Sequence, residues 1–72
     1  MEESREDMTL GEKLHDLRKR APLTQKELAQ RARVGIATIK NIEQGRAAPR
    51  PSTIRALAAA LGVEPSVLTS TD

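Results

Sequence analysis

The sequence predicts an all-α domain of five short helices, on three observations. Apolar residues recur at the three- and four-residue spacings of a helix face, and nowhere in the strict alternation of a strand. Proline and glycine fall between these stripes rather than inside them. One stripe opens on a complete helix-start signal, Leu23-Thr24-Gln25-Lys26-Glu27-Leu28.

Leu10, Leu14 and Leu17 place the first helix over about residues 9 to 20, with Thr9 as its cap and Lys13, Arg18, Lys19 and Arg20 on the other faces. Ala21-Pro22 ends it, because proline lacks a backbone donor and disfavours helical geometry in the residue before it. In the second helix Thr24 and Glu27 have the spacing of a reciprocal capping box, each side chain reaching the other's amide. Leu23 and Leu28 flank the box as a hydrophobic staple, and Leu28, Ala29 and Ala32 point inward. Arg33-Val34-Gly35 is the turn that follows. Ile36, Ile39, Ile42 and Glu43 belong to a third helix of about two turns, with Gly45 at the left-handed position beyond its end. Arg46 to Pro51 reads as a proline-punctuated loop. Ser52 is then expected to cap a fourth helix with the stripe Ile54, Leu57, Ala58 and Leu61, closed by Gly62. Pro65 suits the first turn of a short fifth helix that buries Val67 or Leu68, and Thr69 to Asp72 should fray.

At 72 residues the chain supports one small core, placed here over residues 9–69 behind an acidic, disordered leader at 1–8. It has no cysteine, which removes disulfides, thiolate chemistry and cysteine metal sites, and its single histidine, His15, makes no zinc site. His15 and Asp16 face different directions on a helix with no nucleophile placed beside them, so His15 is expected to face solvent and no enzyme is indicated. No cofactor or metal is expected. No stretch reaches the roughly 20 apolar residues of a membrane span, and Met1 to Asp7 does not resemble a signal peptide, which predicts a cytoplasmic location. The absence of Phe, Trp and Tyr removes the stacking platform on which readers of single strands depend. Residues 8–72 carry 11 Lys and Arg against 6 Asp and Glu, a net +5, and such a surface favours polyanions.

Leu23-Thr24-Gln25, Glu27-Leu28-Ala29, Val34, Thr38-Ile39, Ile42-Glu43 and Gly45-Arg46, followed by Pro51, Leu57-Ala58 and Leu61-Gly62-Val63, carry a resemblance. From Leu10 to Leu68 the chain resembles the helix-turn-helix domain of the lambda-repressor, Cro and XRE-like bacterial regulators. That resemblance implies a compact five-helix lambda-repressor-like fold with helices 2 and 3 as the helix-turn-helix. It also implies sequence-specific binding of double-stranded DNA, in a transcriptional regulator of repressor type. Ile36, Ala37, Lys40 and Asn41 would then face base edges, with Asn41 suited to the paired contact with adenine and Lys40 to guanine acceptors or a phosphate. Ile36 and Ala37 either pack on thymine methyl groups or serve as partial core and spacer. Gln25, Thr38 and Arg46 would bind phosphates, and Lys26, Arg33 and Arg50 either add attraction or are solvated charges.

Two positions depart from the family pattern. Arg33 stands where glycine is usual, at a left-handed cost of about 1–2 kcal/mol, and Gly35 stands at a cap usually held by serine or threonine. Either strain at Arg33 or a redrawn turn follows; in the second case Gly35 absorbs the unusual angle. A homodimer would have to form through helices 4 and 5, using Val63, Val67 or the tail, while Val63 and Val67 equally suit closure of the core. The alternative reading is an antitoxin or adaptor that uses the scaffold to bind a protein.

Overall fold

A computed structural model describes residues 9–69 and shows five helices: α1 Leu10–Arg20, α2 Gln25–Ala32, α3 Ile36–Glu43, α4 Pro51–Leu61 and α5 Pro65–Thr69. The acidic leader expected at 1–8 and the tail after Thr69 lie outside the described residues. Among those described there is no strand. The helices close a ring, α3 lying against α1 and α2, α2 against α4, and α5 against both α4 and α1. Leu14, Leu28, Ile39, Leu57 and Leu68, one from each helix, are fully buried at its centre.

The second helix forms as its residues dictate. The Thr24 hydroxyl accepts from the Glu27 amide at 3.0 Å, and the Thr24 amide donates to the Glu27 carboxylate at 2.9 Å. Leu23 and Leu28 both enter the core. The same box recurs at α1, where Thr9 pairs with Glu12, a partner the cap expectation did not include.

Three helix ends are built alike, with an amide two or three residues past the helix returning to a carbonyl five back: Val34 to Ala29, Arg46 to Asn41 and Val63 to Ala58, at 2.8–3.0 Å. Each needs a left-handed residue just before that amide. Gly45 (φ +76°) and Gly62 (φ +74°) supply two, and Arg33 supplies the third at φ +61°, ψ +43°. Gly35 does not absorb the unusual angle: it is extended, at φ −73°, ψ +149°. The strain therefore sits on Arg33. Arg33→Gly should remove about 1–2 kcal/mol of it and give back about 0.4–1 kcal/mol in unfolded-chain entropy. A net gain of about 0.5–1 kcal/mol is expected, read as a melting point higher by a few degrees in far-UV circular dichroism.

Three other expectations are corrected. Ser52 does not cap α4, because Pro51, with φ preset and no donor to satisfy, takes the first helical position and Arg50 becomes the flanking residue, without a side-chain cap. In α1 the buried residues are Gly11, Leu14 and Arg18, at i, i+3 and i+7, while Leu10 and Leu17 are only half-buried. The inward face is thus turned toward Arg18, which had been assigned to the polar side. It turns because Gly11 lets α1 approach the end of α3: a Cβ at Gly11 would overlap the Ile42 carbonyl oxygen and lie 3.0 Å from that of Glu43. In α5 it is Leu68 that is buried, while Val67 stays exposed and Val63 packs against the core. Thr69 does not fray; it ends α5, its hydroxyl donating to the Pro65 carbonyl at 3.4 Å.

Candidate nucleic-acid interface

α3 divides cleanly around its axis. Ile39 and Ile42 are buried against α1 and α2, and at about 100° per residue Ile36, Ala37, Lys40 and Asn41 occupy one continuous arc on the other side. Ile36, Ala37 and Lys40 are exposed and Asn41 is half-buried. Ile36 leaves 40% of its surface in water, so it is not a core residue. The arc continues onto exposed Gln44, which sequence reasoning missed because it follows the last periodic residue.

The three phosphate candidates have different surroundings. Thr38 is half-buried and lines a groove with Asn41, Arg50 and Thr53, between α3 and the start of α4. Arg46 lines a different groove, beside Thr9 and Leu10 of α1, and its amide is tied to the Asn41 carbonyl at 2.8 Å. Gln25, the first residue of α2, is half-buried and donates from Nε2 to Glu43 Oε1 at 3.1 Å.

Glu43 is the centre of a cluster that sequence reasoning did not identify. Arg18 donates from Nε to Oε2 at 2.6 Å and from Nη2 to Oε1 at 3.1 Å, and its Nη1 donates to the Leu23 carbonyl at 2.8 Å. The Arg18 and Glu43 side chains are 10% and 6% exposed. His15 Nδ1 lies 3.3 Å from Glu43 Oε1 and 3.3 Å from Arg18 Nη2. The ring is 53% exposed, so the solvent-facing expectation holds for its surface but misses its inner nitrogen. Burial works to raise the Glu43 carboxyl, but hydrogen bonds from Arg18, Gln25 and His15, with the Arg18 charge, outweigh it and hold the group below its ordinary value. One signal for this pairing was present in the sequence: Arg18 lies four residues after Leu14, on the buried line, and a buried cation needs an acid.

Two helices joined by a three-residue turn, the second buried on one side and presenting a continuous polar and apolar stripe on the other, define the helix-turn-helix class of binding domain. A family model described as a helix-turn-helix domain matches residues 9–70. The chain belongs to that family, and its structural relatives are of the Cro/C1 type. It is 38% identical over 61 residues to the immunity repressor protein of Bacillus phage phi105, which covers 85% of this chain and 42% of the relative. It is 44% identical over 54 residues, 74% of this chain and 39% of the relative, to the uncharacterized HTH-type transcriptional regulator RghRB of Bacillus subtilis strain 168. The chain thus spans about two fifths of the length of these two proteins. The crystal structure of the restriction-modification controller protein C.AhdI from Aeromonas hydrophila superposes with a TM-score of 0.80 at 30% identity, over 82% of this chain and 89% of that one. An HTH_3 family transcriptional regulator from Vibrio cholerae matches with the same TM-score, 0.80, at 28% identity, over 88% of this chain and 35% of that one.

Proposed function

We propose that this chain is the DNA-reading domain of a transcriptional regulator, binding duplex DNA sequence-specifically and acting by occupying its site as a repressor rather than by catalysis. The observation that carries this reading is the solvent-facing arc of α3, where Ile36, Ala37, Lys40 and Asn41 lie side by side on a helix whose opposite face is locked into the core. An α-helix presented this way fits the major groove, which distinguishes all four base pairs. Asn41 makes the paired contact with adenine N6 and N7, and Lys40 reaches guanine O6 and N7 or a neighbouring phosphate. The exposure of Ile36 supports contact with a thymine methyl group over a core role, and exposed Ala37 lies beside it. Gln25, Thr38 and Arg46 hold phosphates on either side of the groove, with Lys26, Arg33 and Arg50 adding to the field. The repressor name of the phage relative and the regulator name of the Bacillus subtilis one support the reading.

Two copies on a near-palindromic site, half-sites about 34–36 Å apart, would meet through α4 and α5. An adaptor or antitoxin would need an apolar patch away from α3. Among the described residues the large exposed apolar side chains are Ile36 and Val67, and a lone Val67 is ordinary for a surface. No helix among the described residues is long and apolar enough to cross a membrane, which fits a cytoplasmic, nucleoid-associated regulator.

The test is selection of sites from a random duplex pool, followed by titration of the selected duplex against a scrambled one at several salt concentrations. A clear preference is expected; equal affinity would overturn the regulator reading. Asn41→Ala should flatten the preference at one base position by roughly 1–3 kcal/mol, while Gln25→Ala should weaken all sequences about equally. A uniform loss from Asn41→Ala would mean that the reading face lies elsewhere. The label must be on the DNA, since the chain has no Trp or Tyr.

A further inference from the structure

We propose that Glu43 is a positioning residue for DNA binding: from the buried side of the interface it orients the Gln25 carboxamide, leaving one side-chain N–H of Gln25 available to a phosphate at the start of α2. The inference rests on the phosphate role given to Gln25 above. A free glutamine side chain turns about three bonds, and that freedom is lost when it binds. Here the Gln25 amide is already held, Nε2 donating to Glu43 Oε1 at 3.1 Å. The carboxylate is an acceptor only, so it selects the nitrogen end of the amide over the oxygen end and uses one of its two hydrogens. The second hydrogen remains for another acceptor. Glu43 cannot drift to accommodate a misplaced amide, because Arg18 grips both of its oxygens at 2.6 and 3.1 Å. Arg18 also neutralises it, so the anchor adds no net negative charge beside a phosphate. The first backbone amides of α2, those of Gln25 and Lys26, precede the Glu27 amide that Thr24 caps, and a helix start leaves such amides without intrahelical partners. A fixed Gln25 N–H would join them in holding one anion.

Two measurements on the full chain test this. In the first, labelled duplex is titrated with the wild type, Gln25→Ala, Glu43→Gln and the double variant, at a temperature where circular dichroism shows all four folded. Glu43→Gln should weaken binding about fivefold when Gln25 is present and less than about twofold in the Gln25→Ala background, a coupling of the size found for side chains in one network. The same loss in both backgrounds would mean that Glu43 acts through the fold alone, and would overturn the inference while leaving the phosphate role of Gln25 intact. No loss from Gln25→Ala itself would overturn both. The second measurement holds even if Glu43→Gln fails to fold: the side-chain amide heteronuclear NOE of Gln25 in the free wild type. It should show an amide more ordered than those of exposed Gln30 and Gln44. Equal mobility of the three would overturn the inference.

Discussion

Arg18→Ala is expected to destabilise the domain by about 3–5 kcal/mol, the usual cost of removing one partner from a buried ion pair. A domain of this length holds only about 4–11 kcal/mol in total, so the loss takes a large share of its stability. Three losses combine. The Glu43 carboxylate, 6% exposed, stays buried without its cation; the Leu23 carbonyl loses the donor at 2.8 Å; and α1 loses its tie to the end of α3. Urea titration followed by far-UV circular dichroism measures the change. A loss under about 1 kcal/mol would mean that the pair behaves like an exposed one.

The same variant should respond to pH with a predictable sign. In the wild type the folded Glu43 carboxyl lies below its unfolded value, so its contribution is full above about pH 4.5 and disappears as pH falls through the folded value. Without Arg18 the strongest influence that lowers it is gone, the folded carboxyl moves up, and less stability remains to be lost on acidification. The gap between wild type and variant should therefore be larger at pH 7 than at pH 4. A gap that widens in acid would overturn this account of the cluster.

Gly11→Ala is the second large effect, and there the direction is the test. In an exposed helix the change would gain about 1 kcal/mol from helix propensity. At Gly11 the added Cβ would overlap the Ile42 carbonyl oxygen, which is backbone and has no rotamer to escape into. Either α1 or the last turn of α3 must move, at the upper end of the roughly 1–3 kcal/mol that overpacking costs. A net loss of about 2 kcal/mol is expected, measured by thermal melting. A stabilised variant would show that α1 and α3 are further apart than described.

These two residues mark where sequence reasoning stopped. What it read correctly is local: Thr24 and Glu27 are three apart, Leu23 and Leu28 five, and Gly45 and Gly62 follow the helices they close, so each signal fits inside a short window. The order of five helices follows from such signals. Gly11 and Arg18 carry information of another kind, because each is explained by a residue of α3 more than two dozen positions away. Taken alone, Arg18 is one base among Lys19 and Arg20, and Gly11 is a weak helix former. Only the docking of α1 on α3 makes one a necessary gap and the other a necessary charge. The candidate site divides in the same way. Ile36, Ala37, Lys40 and Asn41 were expected on the outward side through the family resemblance, whereas periodicity alone grouped Ile36 with Ile39 and Ile42, and the anchoring of Gln25 by Glu43 depends on tertiary placement. The missed cap at α4 was a local error, with Ser52 preferred for its hydroxyl over the preset geometry of Pro51.

The left-handed arginine at the elbow between α2 and α3 separates two selective pressures that usually act together. A population of variants screened for heat resistance alone should drift toward glycine at position 33, since that is the cheapest way to relax the turn. A population screened for grip on a polyanion would keep a base there, because the strained backbone projects a guanidinium from the exposed corner of the motif. On the proposed field of bases around the groove, position 33 sets holding a target against holding a shape.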